Sequence, residues 1–283
     1  MSTLIKPLKG IRIVSLALNL PGPAALMRCR ALGATCIKVE PLAAGGGDPM
    51  RAYNPTAYAQ MHAGVRTLAL DLKTPLGQAR LGLELAKADV LLTSFRPSAL
   101  KRLGLDWSAL HKRHSQLWQV AIVGGEGADA EVAGHDLTYL AEQGLVTGLD
   151  LPATLYADMT GSLLAVEAIL GAVLQQKMTA KPRQIRVSLG AAAKYAALPR
   201  HWGLTAPSGA VGGAHAGYQI YKCKDGRAAV AALEPHFAAR LCEAAGFKTL
   251  DVAAMRRWFG KQTRTQLDVL ATLKDIPIYT MES

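Results

Sequence analysis

Hydrophobic and polar positions form a repeating pattern along the first two thirds of the chain. Continuous apolar runs predict buried strands at residues 11–16, 35–39, 66–72, 89–93, 117–123 and 184–189. Amphipathic or capped stretches between them predict helices at residues 24–32, 74–88 and 158–176. Strands alternating with helices predict an α/β fold with an open, mainly parallel, Rossmann-like sheet. The chain lacks GxGxxG, so this prediction does not extend to a nicotinamide cofactor.

The pattern changes in the last third of the chain. The glycine-rich segment 203–217 predicts a loop or linker. The runs YQIYKC and AAVAAL then flank Lys224–Arg227 and predict a β-hairpin, and Glu234-Pro235 opens a helix. We therefore expect a large α/β domain over residues 1–195 and a smaller α+β domain over residues 196–283.

The composition is typical of a globular enzyme. Half of the 283 residues are hydrophobic and 19% are charged. No apolar run reaches the ~18 residues of a membrane span, and the N-terminus lacks a secretory-signal pattern. We therefore expect a cytoplasmic protein with no membrane partner. Four scattered cysteines predict neither disulfides nor a metal site.

The net charge of +11 favours an anionic partner. Nucleic acid is disfavoured, because the basic residues occur as isolated pairs and aromatic residues make up only 6% of the chain. A phosphorylated small molecule fits the charge equally well. A solvated basic surface is the simpler alternative for most of the lysines.

Two short segments carry candidate acid–base chemistry. In AGHDLTY, His135 follows a glycine at the predicted start of a short helix, and in YADMTG, Asp158 stands at the predicted start of a long one. Side chains at neighbouring helix starts can face each other across a cleft. The alternatives are a capping or core role for His135 and a helix N-cap role for Asp158.

Several segments together resemble a known family. GIRIVSL, ALGATCIKVEP, LALDLKTPLGQ and ADVLLTSFRPSALKRLGLDWSAL occur in the order found in class III CoA-transferases, a family that includes α-methylacyl-CoA racemases. The resemblance extends from about residue 10 to residue 277. The histidine in GHD-x-x-Y and the segment YKCKDGR…LEPHF are more similar to the racemase branch.

The resemblance implies roles for individual residues. By it, His135 and Asp158 are the two catalytic bases and Glu234 supports His135, whereas in the transferases the aspartate matching Asp158 receives the acyl group. It also implies an interlocked homodimer, an acyl-CoA partner, no metal and no cofactor beyond the CoA of the substrate. The implied CoA contacts are Leu20, Pro21, Leu70, Lys73, Ser94, Phe95 and Arg102.

The chain departs from the family pattern at two places. Pro41 occupies a position where an arginine often contacts CoA phosphates, which leaves Lys73, Arg102 and Arg51 for that role. Family members also usually carry a further C-terminal segment. Both departures keep open a catalytically impaired, CoA-binding paralogue.

The expected reaction is racemisation of a 2-methylacyl-CoA thioester by 1,1-proton transfer through an enolate. One base removes the proton α to the thioester and the other returns it to the opposite face. The first alternative is a CoA transferase that moves CoA between carboxylic acids through an aspartyl-CoA thioester.

Overall fold

A computed structural model describes residues 5–42, 47–178 and 181–282. Contacts within the chain define two compact units, which divide between Ala197 and Leu198. Each unit has its own hydrophobic core.

The first unit is built on a six-stranded parallel sheet, which confirms the predicted α/β class. The strand order is β3-β2-β1-β4-β5-β6, the order of doubly wound nucleotide-binding folds. The strands are β1 (Arg12–Ser15), β2 (Thr35–Glu40), β3 (Arg66–Ala69), β4 (Val90–Thr93), β5 (Trp118–Val123) and β6 (Gln184–Ser188).

Helices cover both faces of this sheet. Ile13 and Val90 point to one face with Ile169, and the next residues along the strands, Val14 and Leu91, point to the other. The helices are α1 (Pro21–Ala31), α2 (Pro49–Tyr53), α3 (Pro55–Met61), α4 (Pro75–Leu85), α5 (Pro97–Arg102), α6 (Trp107–Arg113), α7 (Asp136–Glu142), α8 (Tyr156–Lys177) and α9 (Leu189–Ala196).

Helix α1 begins at Pro21, three positions before the predicted start at residue 24, so the predicted start was wrong. A proline in the first helical turn loses no hydrogen bond, since the N–H groups there have no partner within the helix. Gly22 lets the start of α1 approach Ala17, which follows β1, because a Cβ at position 22 would collide with Ala17 Cβ.

Helix α8 is long and apolar enough to cross a membrane by length and composition alone, in contrast to the prediction that no apolar segment reaches that length. In the structure, 44% of its most apolar window is buried within the protein. Ala165, Ile169 and Val173 pack into the core against the sheet. One side of the helix therefore belongs to the core of the first unit.

The second unit is a three-stranded antiparallel sheet with helices. The predicted hairpin is present, and a third strand, which was not predicted, pairs with its second strand. The core of this unit includes stacked Tyr221 and Phe259 rings, whose centroids lie 4.6 Å apart. Its elements are α10 (Leu198–His201), β7 (Tyr218–Cys223), β8 (Gly226–Ala231), α11 (Pro235–Ala245), α12 (Val252–Phe259), α13 (Arg264–Lys274) and β9 (Ile278–Met281).

Candidate active site

A cleft of about 280 Å³, here called the His135 cleft, opens beyond the carboxyl ends of β1, β4 and β5. Strands β1 and β4 are neighbours at which the order of the sheet reverses, the place where ligands bind in open α/β sheets. The cleft is lined by Leu18, Asn19, Pro21, Ser94, Phe95, Arg96, Ile122, Val123, Gly124, Ala130, Val132, Gly134, His135, Tyr139, Asp158 and Leu189.

His135 and Asp158 both line this cleft. His135 is an exposed residue immediately before α7, as the sequence pattern predicts. Asp158 is half-buried and is the third residue of α8, because that helix begins at Tyr156. Leu155 occupies the N-cap position, so the alternative in which Asp158 is the N-cap residue is wrong.

Asp136 joins the two helix starts that carry these residues. Its side chain is 5% exposed, and Oδ1 accepts a hydrogen bond from the backbone N–H of Asp158 at 2.9 Å. Leu155 has no side-chain acceptor for the free N–H groups of the first turn of α8. Asp136 therefore acts as a cap supplied by another helix, a role that no local pattern indicates.

The environment of Asp158 disfavours its ionised form. Burial, and secondly the negative charge of Asp136, raise the pKa of the Asp158 carboxyl from 3.8 to about 6. Both protonation states of Asp158 are therefore within reach near neutral pH, which suits a group that alternates between acid and base.

Tyr139 lines the same cleft as His135. Its ring is 8% exposed, and a Cβ on Gly134 would lie 2.6 Å from the Tyr139 hydroxyl oxygen. Glycine at position 134 therefore makes room for the ring of the GHD-x-x-Y motif. Burial, and secondly the charge of Asp158, raise the pKa of the Tyr139 hydroxyl, which keeps it protonated.

The residues predicted to contact CoA distribute over three clefts that share Phe95. Pro21, Ser94 and Phe95 line the His135 cleft. A second cleft of about 510 Å³, the Leu70 cleft, has Leu70, Lys73, Pro41 and Phe95 in its wall. A third of about 870 Å³, the Arg102 cleft, is lined by Lys73, Phe95 and Arg102 among others.

Three further residues named from the sequence lie outside these walls. Leu20 takes the N-cap position of α1, directly before Pro21. Arg51 donates hydrogen bonds to Glu40 and to the Tyr58 hydroxyl, each at 2.7 Å, and the phosphate role considered for it remains a prediction. Glu234 lies in the second unit at the N-cap position of α11, and its support of His135 remains a prediction.

Other residues of the clefts were not named by the sequence analysis. Arg113 lines the Arg102 cleft, and Arg96 and Asn19 line the His135 cleft. Asn19 has a left-handed backbone with φ 64°, a conformation that asparagine tolerates better than most residues. The only sequence signal for it is an asparagine close to a Pro-Gly-Pro segment.

Known proteins resemble the chain over most of its length. The sequence model of CoA-transferase family III matches residues 8–279. Human α-methylacyl-CoA racemase is 30% identical over 260 residues, which cover 86% of this chain and 65% of the relative. Cinnamoyl-CoA:phenyllactate CoA-transferase of Clostridium sporogenes is 30% identical over 212 residues, or 66% of this chain and 50% of the relative. The chain thus spans one half to two thirds of these relatives.

Solved structures share the fold. A CAIB/BAIF family protein from Brucella suis superposes with a TM-score of 0.80 at 25% identity, over 99% of this chain and 85% of that one. Protein Rv3272 from Mycobacterium tuberculosis superposes with a TM-score of 0.83 at 22% identity, over 100% and 85% respectively. Family match and fold agree with the resemblance seen in the sequence motifs, and the chain belongs to CoA-transferase family III.

Proposed function

We propose that this protein racemises or epimerises a 2-methylacyl-CoA thioester by 1,1-proton transfer. The observation that carries the proposal is the pairing of His135 with Asp158 in one cleft, where the pKa of Asp158 is raised to about 6. A histidine and a carboxyl group with a pKa near neutrality can each donate or accept a proton at little cost.

In the proposed reaction the α-carbon lies between these two groups. One of them removes the α-proton, and the negative charge moves to the thioester oxygen of an enolate. The other then protonates the opposite face of the carbon. The free N–H groups at the starts of α7 and α8 are candidates to stabilise the enolate oxygen, a contribution worth about 3–4 kcal/mol where such donors have been removed from other enzymes.

The CoA portion is proposed to leave the His135 cleft past Phe95, the residue common to all three clefts. Lys73 and Arg102 then supply positive charge for the phosphates, and Leu70 supplies apolar contact. Pro41 also lines the Leu70 cleft but offers no charge. CoA enters as part of the substrate, and the proposed steps use only protein side chains and backbone.

The experiment measures exchange of the α-proton with solvent. The R and S forms of a 2-methylacyl-CoA are incubated separately in D₂O and followed by NMR. If each base serves one face, His135→Ala and Asp158→Asn each abolish racemisation, and each retains deuterium exchange with one stereoisomer only, opposite for the two variants. Lys112→Ala, an exposed change outside the three clefts, serves as the control.

The proposal is contradicted if the wild-type protein binds CoA thioesters but catalyses no exchange of the α-proton with solvent for any of several acyl chains. Together with no CoA transfer, that result would indicate the catalytically impaired, CoA-binding paralogue. Equal loss of both exchange reactions in each variant would contradict the one-base-per-face arrangement.

A second candidate is a CoA transferase in which Asp158 receives the acyl group as a mixed anhydride and then carries CoA as a thioester. The supporting observation is the 30% identity to a cinnamoyl-CoA:phenyllactate CoA-transferase. This route predicts ping-pong kinetics with two carboxylic acids. Hydroxylamine would trap the activated carboxyl at Asp158, and mass spectrometry of the peptide containing it would detect the adduct.

We also propose a homodimer, as the family resemblance implies. Supporting it, one side of α8 presents apolar residues to solvent: Leu155, Met159, Leu163 and Leu174 are 41–60% exposed. Light scattering coupled to size-exclusion chromatography would give the mass in solution. A monomer at all concentrations tested would contradict this proposal.

A further inference from the structure

A buried charged network lies beside the His135 cleft. Lys38, on β2, has no exposed surface, and its ammonium group donates a hydrogen bond to Oδ2 of Asp48. The same Nζ lies 2.9 Å from Nε2 of His62 and 3.7 Å from an oxygen of Glu40. The Asp48 side chain is also fully buried. Charges this deeply buried occur where they are paired and hydrogen-bonded.

The partners of His62 determine which of its ring nitrogens donates and which accepts a hydrogen bond. His62 Nδ1 lies 2.7 Å from the backbone oxygen of Tyr58, which can only accept, so Nδ1 carries the proton. Nε2 then accepts from Lys38, and burial lowers the pKa of His62, which favours this neutral ring. Lys38 is thus held from two sides, and it holds Asp48 in place.

The second oxygen of Asp48 accepts hydrogen bonds from the backbone, one of them at the wall of the cleft. Oδ1 accepts hydrogen bonds from the backbone N–H of Asn19 at 3.1 Å and from that of Met50 at 3.0 Å. Asn19 lines the His135 cleft and has the left-handed backbone described above. The preceding residue, Leu18, donates its N–H to the Ser94 hydroxyl at 3.1 Å. The wall of the cleft at Leu18–Asn19 is therefore fixed at two consecutive amides.

We propose that Asp48 is a positioning residue, held by Lys38, that keeps Asn19 in its left-handed conformation and so sets the wall of the His135 cleft. Asp48 itself does not line the cleft. It acts through the hydrogen bond that its Oδ1 accepts from the backbone N–H of Asn19. A test by kcat rests on the proposed function, whereas a test by amide hydrogen exchange does not.

The first test is amide hydrogen exchange followed by NMR. Asp48→Ala removes the acceptor of the Asn19 N–H, and exchange at that amide should accelerate by about tenfold or more relative to wild type. Asp106→Ala is the matched control, because Asp106 caps α6 by accepting from Ala109 N–H and lines none of the three clefts. Equal exchange at Asn19 in wild type and Asp48→Ala overturns the proposal.

The second test leaves the buried charges intact, in case Asp48→Ala does not fold. Asn19→Gly and Asn19→Ala both remove the side chain, but only glycine adopts a positive φ readily. Asn19→Ala should therefore lose about tenfold more kcat than Asn19→Gly, with a smaller difference in KM. Equal kcat in the two variants, with equal exchange rates at residues 18 and 19, overturns the proposal. If wild-type protein turns over no acyl-CoA, the proposed function fails while the exchange rates still decide this one.

Discussion

The Asp136 carboxylate accepts the backbone N–H of Asp158 at 2.9 Å, and this bond joins the helix that follows His135 to the helix that carries Asp158. One buried side chain therefore has two effects on the cleft. It supplies an acceptor to the first turn of α8, and its negative charge adds to burial in raising the pKa of Asp158.

These two effects can be separated by substitution. Asp136→Ala removes both, and we expect the free energy of unfolding to fall by about 0.5–2 kcal/mol, the range for loss of a helix cap. Asp136→Asn keeps an acceptor oxygen but removes the charge, so it should cost less stability. Both variants should lower the pKa of Asp158 part of the way toward 3.8, because burial remains. Urea unfolding and carbon-detected NMR titration of Asp158 measure the two quantities.

The control for Asp136 is Asp251→Ala in the second unit. Asp251 caps α12 by accepting the Ala254 N–H at 2.7 Å, so its loss should also reduce stability. It should leave the pKa of Asp158 unchanged. A pKa of Asp158 that is the same in wild type and in both Asp136 variants would refute the electrostatic part of this prediction.

The raised pKa of Asp158 also predicts how stability depends on pH. Since the folded state holds this proton more tightly than the unfolded state, stability due to the group is present at low pH and is lost as pH rises toward 6. Asp158→Asn removes the ionised form and should raise the free energy of unfolding by about 1–3 kcal/mol at pH 7.5. Below about pH 3 the gain should vanish, because the wild-type carboxyl is then mostly neutral in both states. Denaturant unfolding at the two pH values tests this, and an equal effect at both would contradict it.

The sequence predicts the sheet better than the details of the cleft. Strands β4 and β5 are buried on both faces, so their apolar runs are continuous and easily recognised. Helices α2 and α3 were not predicted, because they are only 5 and 7 residues long and carry little apolar periodicity. Strand β9 was missed because its partner β8 lies far away in sequence.

The same distinction applies to the site. His135 and Asp158 were named from motifs, since their residue types and neighbours are distinctive along the chain. The partner of Asp136, the backbone N–H of Asp158, is 22 residues away. The Asp48–Asn19 hydrogen bond spans 29 residues. Contacts of this kind depend on how elements pack, and no local pattern in one sequence encodes them.

In the proposed CoA site, Lys73 and Arg102 contact the nucleotide end of CoA. Both are exposed, and both line the Arg102 cleft. Lys73→Ala and Arg102→Ala should each raise the Kd for CoA about tenfold at low salt, with a smaller effect at high salt because phosphate contacts are screened. Isothermal titration at two ionic strengths measures this. A pantetheine thioester, which lacks the nucleotide, is the control ligand, and an equal loss for CoA and pantetheine thioesters would contradict the assignment.

Gly22 and Ala17, next to residues that line the His135 cleft, are in such close contact that a substitution at one should compensate for a substitution at the other. A Cβ on residue 22 would collide with Ala17 Cβ, whereas the next nearest atom, Ala17 Cα, would be 3.3 Å away. Gly22→Ala should therefore cost about 1–3 kcal/mol of stability, as overpacking does. The double variant Gly22→Ala/Ala17→Gly should recover part of that loss, since the colliding methyl group is gone. A double-mutant cycle by urea unfolding gives the coupling energy, which should favour the pair by more than 0.5 kcal/mol, the lower end for residues in contact. Additive effects of the two changes would show that another contact sets the approach of α1 to the segment after β1.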